Sequence, residues 1–277
     1  MRQTLARPLA ILIASAALLG TAACGYLKGE EKVDEYVERP VEDLYNTAVD
    51  SAAGGNFRDA APLFDEVERQ HPYSVWATQA QLMAAYSLYQ SNQYDEAVNA
   101  LDRFIQLNPS HPNVDYAYYL KGLAFYEQIV DVGRDQKLTL DSLKTFHEVI
   151  KRFPGSKYAR DARLKIDLAR NHLAGKEMEI GRFYLIRGQH LAAINRFRRV
   201  VHQYDTTDQV PEALHRLTEA YLAIGLTEEA EKTAAVLGHN YPGSSWYQDS
   251  YALVKTGRPF SAEGDDDGLL GLGLWIF

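Results

Sequence analysis

Five times along the 277 residues, a helix-forming stretch is cut at a regular place: Pro72, Pro109, Pro154, Asp205 and Pro242 stand 37, 45, 51 and 37 residues apart. Proline loses a helix hydrogen bond and bars helical geometry in the residue before it, so these positions close helices. Eight residues before each stands Phe64, Leu101, Phe146, Phe197 or Ala234, and four before that Ala60, Ala97, Ser142, Ala193 or Ala230. Upstream again, Ala48, Ala85, Gly122, Gly181 and Thr218 supply small positions where a second helix can approach. Gly122 and Gly181 would each weaken a free helix by about 1 kcal/mol, and close packing accounts for them. One such helix pair cannot bury its apolar face alone, so the pairs must stack.

A small residue one turn ahead of a bulky one, on a helix that ends at proline, resembles the second helix of a tetratricopeptide repeat. The expected fold is all-α: a right-handed superhelix of about five tetratricopeptide-like helix pairs, with an extra helix between repeats three and four. Repeat one pairs Val41–Gly54 with Phe57–Gln70, and repeat two Val75–Gln90 with Tyr94–Leu107. Repeat three pairs Val114–Val130 with Leu138–Arg152 across a longer joint, DVGRDQ. Tyr158–Leu173 is the extra helix, followed by Lys176–Arg187 with His190–Gln203 and by Pro211–Ile224 with Thr227–His239. Pro40 is expected to open the first helix, where a missing N–H is harmless. The extra helix divides the array into an N-terminal lobe, residues 40–154, and a C-terminal lobe, residues 155–254.

The two ends read differently. Residues 1–23 carry Arg2 and Arg7, an apolar run from Leu9 to Leu19, and the small residues Thr21, Ala22 and Ala23, which is the pattern of an export signal. The run is too short for a stable membrane span. Cys24, the only cysteine, excludes an internal disulfide and sits at the cleavage point, so it is expected to carry lipid, although an ordinary cleavage after Ala23 leaves it incidental. Acyl chains, at about 0.8 kcal/mol per buried methylene, would then anchor the protein through a charged tether, residues 24–39. Gly25 favours the periplasmic face of the outer membrane. At the other end, residues 255–277 read as an acidic linker followed by an apolar tail, LLGLGLWIF.

Formal net charge is −8, and about −10 once Arg2 and Arg7 are removed, which argues against nucleic acid as a partner. The eight histidines are scattered, with no HExxH, CxxC or nucleophile elbow, so neither catalysis, metal nor cofactor is expected. Asp265, Asp266 and Asp267 lie in the linker and make an improbable cation site.

Leu101–Leu123, LDRFIQLNPSHPNVDYAYYLKGL, then Arg152-Phe153-Pro154-Gly155-Ser156 with Tyr158, and Ala193-Ile194-Asn195-Arg196 together resemble the BamD family of lipoproteins, over residues 40 to 243. The resemblance implies a non-enzymatic scaffold of outer-membrane β-barrel assembly. Its C-terminal repeats would bind the periplasmic domains of a BamA-like barrel subunit, alongside other assembly lipoproteins. Its N-terminal repeats would receive the C-terminal signals of unfolded outer-membrane proteins. It places Arg196 opposite an acidic residue of the barrel subunit and Arg103 on the receiving side. His71 replaces a tyrosine common in the family.

On this basis His71, Tyr73, Tyr86, Tyr89, Arg103, Tyr116 and Tyr119 are candidates for a peptide groove, whose phenols would satisfy backbone groups while their rings hold apolar side chains. Tyr118 belongs to the same sequence cluster. Each tyrosine also suits plain inter-repeat packing, and Arg103 a surface ion pair with Asp102 or Asp95. Arg187, Asn195, Arg196 and Arg199, with Arg198, make repeat four locally basic and are candidates for docking an acidic partner; a solvated helix face is the bland alternative. A periplasmic adaptor of another envelope complex is the competing function. The tail, ending in an aromatic residue with Gly271 a few residues back, resembles the family's client segments and is a candidate occupant of the groove.

Overall fold

The computed structural model describes residues 38–257, and among these the chain is eleven α-helices and no strand. They are α1 (Val41–Ala53), α2 (Phe57–Gln70), α3 (Val75–Gln90), α4 (Tyr94–Leu107), α5 (Val114–Tyr126), α6 (Lys137–Arg152), α7 (Lys157–Ile186), α8 (His190–Gln203), α9 (Val210–Ala223), α10 (Thr227–Asn240) and α11 (Ser245–Thr256). Each helix packs on its sequence neighbour, and every first helix of a pair also packs on the next first helix. That is the tetratricopeptide arrangement. Signal residues, Cys24, most of the tether and the apolar tail lie outside the described residues.

Two repeated joints build the stack. Where a pair ends, His71, Asn108, Phe153, Tyr204 and Tyr241 leave the helix with φ between −134 and −125° and ψ between 38 and 60°. Each carbonyl then accepts from the N–H three residues on, at Ser74, His111, Ser156, Thr207 and Ser244. At Ser74, Ser156 and Ser244 the hydroxyl caps the next helix by accepting from Ala77, Tyr158 and Trp246 N–H. Tyr204 takes the shared geometry although Asp205, not proline, follows it. Within pairs, Gly55, Asn92, Gly188 and Gly225 have φ of 80, 61, 70 and 78°. The next N–H in each case, from Asn56, Gln93, Gln189 and Leu226, returns to the helix five residues back. This Schellman closure satisfies carbonyls that the helix end orphans.

Between helices the small and bulky positions meet as the spacing predicts. Phe64, Leu101, Phe146 and Phe197 are fully buried, as are Ala60, Ala97, Ser142, Ala193 and Ala230. A methyl group at Gly122 would stand 2.6 Å from the Phe146 ring, and one at Gly181 would strike Phe197. The absent side chains are what bring these helices together.

Three differences from expectation exceed a single residue. The extra helix and the first helix of repeat four are one continuous helix, α7, of 30 residues. Ala174-Gly175 suggested a break, but Val132 from the long α5–α6 joint packs on Gly175, and Lys176 Nζ donates to the Gly133 carbonyl at 2.8 Å. Glycine there admits a crossing loop, and the helix continues beneath it. Helix α5 stops at Tyr126 instead of reaching Val130. A final helix, α11, follows the last joint; its Ser244 cap and Gly257 stop (φ 73°) were the signals available for it. Pro40 is the residue just before α1, with extended ψ of 137°.

Candidate binding faces

The seven groove candidates fall into two groups. Tyr86 and Tyr89 on α3, Tyr116 and Tyr119 on α5, and Tyr158 on α7 come together because consecutive first helices run side by side. Tyr119 stacks on Tyr158 at 5.0 Å and 19°, and Tyr116 lies 5.2 Å from the same ring. Tyr86 meets Phe57 edge-on at 5.9 Å, and Tyr89 meets Tyr94 at 5.7 Å. The Tyr119 hydroxyl donates to Asp161 Oδ2 at 2.5 Å. Burial, then the Glu127 carboxylate, pushes the Tyr89 phenol up to about 12. Tyr116 and Tyr119 are raised further, by burial first, then by neighbouring phenols at Tyr116 and by Asp161 at Tyr119. All three therefore remain neutral hydroxyls near neutral pH. The result is a ring surface studded with hydroxyls and edged by two carboxylates, chemistry suited to a polypeptide backbone and apolar side chains. Tyr118 is outside it, against Phe153 (5.6 Å) and under the Arg152 guanidinium (5.2 Å).

His71, Tyr73 and Arg103 make none of these ring contacts. Tyr73 is wholly exposed on the α2–α3 joint, and His71 ends α2. Arg103 stands on a second helix of its pair, and its Nη2 donates to Glu68 at 2.8 Å. Glu68 also accepts from Gln81 (2.7 Å), whose carbonyl accepts from Asn108 (3.0 Å). Arg103 thus closes an open pocket of about 450 Å³ with Asp65, Glu68, Arg69 and Pro72. The ion pair expected with Asp102 or Asp95 is replaced: Lys121 holds Asp102 at 2.5 Å. Sequence separation hid Glu68, 35 residues away.

The basic face of repeat four is organised by a residue the sequence did not single out. Glu177, on α7 and nearly buried, accepts from Arg196 Nη1 at 3.1 Å and from Arg199 Nη1 at 2.8 Å. One carboxylate facing two guanidiniums leaves a full positive charge in excess. Both arginines stay partly exposed, at 32% and 45%. Asn195 and Arg198 are exposed on the same helix, α8. Arg187 instead lies 4.1 Å over the Phe183 ring at the α7–α8 turn.

A third cluster went unforeseen. His215 Nδ1 bonds Ser250 Oγ at 2.8 Å, and its Nε2 lies 3.4 Å from Glu219. Trp246 covers the ring at 5.2 Å, and Arg216 binds Glu219 at 2.8 Å. Ser, His and a carboxylate in line evoke a hydrolase, but Ser250 is completely buried and no substrate carbonyl can reach it. Here the trio fastens α11 to α9. The helical spacing of His215 and Glu219 was the only sequence trace.

These features define a class: a stack of tetratricopeptide-type helix pairs with an aromatic cluster in repeats two and three and a basic face in repeat four. Within it, the chain belongs to the BamD family of outer membrane lipoproteins, whose profile, YfiO, matches residues 37–237. It is 50% identical over 248 residues to the outer membrane protein assembly factor BamD of Caulobacter vibrioides, covering 90% of this chain and 81% of that one. It is 46% identical over 241 residues to the BamD of Rickettsia prowazekii (87% and 96% covered) and 36% identical over 214 residues to one of Neisseria meningitidis (74% and 80%).

Proposed function

We propose that the protein is the lipid-anchored scaffold of an outer-membrane β-barrel assembly complex, held at the periplasmic face through Cys24. The single observation that carries this is the extent of the likeness: half of the residues are identical to a named assembly factor across nine-tenths of the chain. The barrel subunit docks on the basic face of repeat four, where Arg196 and Arg199 share Glu177 and keep one positive charge for an acidic partner. Unfolded clients are received on the tyrosine face of repeats two and three. Tyr119 and Tyr89 already donate to Asp161 and Glu127, and their neutral phenol oxygens keep lone pairs that accept from the N–H groups of an extended backbone. Arg103, held by Glu68 at a pocket beside the α2–α3 joint, offers a client carboxylate a second place of contact. Scaffold and receptor, not enzyme, is the role for which these faces are suited.

The test is isolation of the native protein from membranes in mild detergent, with its companions identified by mass spectrometry. A large barrel-forming subunit recovered in a fixed ratio supports the assignment. Recovery with a soluble cell-wall or division protein and no barrel subunit supports an adaptor of another envelope complex instead.

A further inference from the structure

The two ends of the stack do not present the same kind of turn. Beside the turns Gly54-Gly55-Asn56 and Ser91-Asn92-Gln93 no large apolar side chain is exposed. At the α7–α8 turn, by contrast, Phe183, Ile186 and Leu191 are 49%, 67% and 70% exposed, and at the α9–α10 turn Leu226 is 46% exposed. Arg187 roofs Phe183 at 4.1 Å, and Arg198 is exposed on α8. Among the described residues, neither arginine has a carboxylate within ion-pair distance.

The chain leaves the described structure beside this edge. Short turns reverse the chain between α9 and α10 and again between α10 and α11, so α9 and α11 run in the same direction, and His215 of α9 meets Ser250 of α11. Helix α11 therefore ends at Gly257 next to the turn that follows α9. Asn171 bonds Asp208 and Arg182 bonds Glu212, which aligns α7 with α9 in the same sense. With neighbouring helices about 10 Å apart, the α7–α8 turn lies about 20 Å away. Residues 258–268 can span at most about 40 Å. They carry Glu263, Asp265, Asp266 and Asp267, and they lead to nine uncharged residues, LLGLGLWIF.

We propose that Leu269–Phe277 seats on the apolar edge formed by Phe183, Ile186, Leu191 and Leu226, with the acidic linker opposite Arg187 and Arg198. Exit point, reach, apolar match and charge sign all select this edge over the tyrosine face, which lies in repeats two and three. Leu191 shares α8 with Asn195 and Arg198, so a seated tail also limits access to the basic face; this last consequence rests on the docking reading above, and the seating itself does not.

The experiment places a photo-reactive phenylalanine at Trp275 of the full-length chain and maps the cross-links by peptide mass spectrometry. The expected product is intramolecular and joins residue 275 to the peptides carrying Phe183–Leu191 and Leu226. Ile186→Asp with Leu191→Asp should lower its yield about tenfold, with helix content and melting midpoint unchanged because both residues are exposed. As a second reading, Trp275→Ser with Ile276→Ser should speed amide exchange at residues 183–191. Cross-links to the tyrosine face, to a second copy or to lipid would overturn the seating, as would the absence of any cross-link. Barrel-subunit docking undiminished in the cross-linked protein would fail the docking reading alone and leave the seating standing.

Discussion

Gly181 and Glu177 show how much single residues decide here. At Gly181 the missing side chain is the contact surface, since a methyl group would strike Phe197. Gly181→Ala should therefore destabilise the protein by about 1–3 kcal/mol. Gly155→Ala, which meets nothing within 4 Å, should leave it unchanged; parallel urea titrations of the two variants check both. The tyrosines add a pH signature. Tyr89, raised to about 12, stays protonated in the fold at a pH where an unfolded tyrosine (about 10) has ionised. Its contribution is complete below pH 10 and is lost as pH climbs through 12, so melting temperature should fall across that window. Tyr89→Phe, together with Tyr116→Phe and Tyr119→Phe, should flatten the fall. Gly181 was legible from sequence because its spacing repeats; Glu177 was not, because its partners lie 19 and 22 residues away on another helix and no local pattern marks the pairing.

Among elements, the repeated turns and joints carried most of what the sequence could tell. Proline spacing and small–bulky spacing are local signals, and they located ten helices and the fully buried Phe64, Phe146 and Phe197. What they could not show was contact between distant segments. Val132 packs on Gly175 in the middle of α7, and Glu68 holds Arg103 from another repeat; neither pairing leaves a local sequence trace. The left-handed turns are testable one at a time. Gly188, with φ of 70° and open space around it, is needed for conformation alone. Gly188→Ala should lower stability by about 1–2 kcal/mol without altering either face. The α9–α11 fastening has its own pH dependence. Burial would raise Glu219, but bonding to His215 and the charges of His215 and Arg216 outweigh it and hold the carboxyl below its ordinary range. That contribution is present above the ordinary carboxylate pKa, about 4.3, and disappears as pH falls through the lower folded value. Amide exchange in acid should therefore release residues 245–256 before the rest of the stack.

For the whole molecule, regular stacking places the tyrosine face and the basic face on different repeats. Tyrosines of α3, α5 and the start of α7 meet only because first helices lie side by side, and the arginines of α8 share a carboxylate from the far part of α7. The continuous α7 thus contributes to both faces, which makes it the element most exposed to long-range effects. If the account holds, damage to one face should spare the other. The direct measurement is a two-ligand binding assay on the full-length chain, with the purified barrel subunit's periplasmic domains and an unfolded outer-membrane protein's C-terminal peptide as probes. Reversing Arg196→Glu and Arg199→Glu should weaken the first about a hundredfold and leave the second untouched; Tyr116→Ala with Tyr119→Ala should do the reverse. Equal losses of both ligands in either variant, or no loss in both variants, would contradict it.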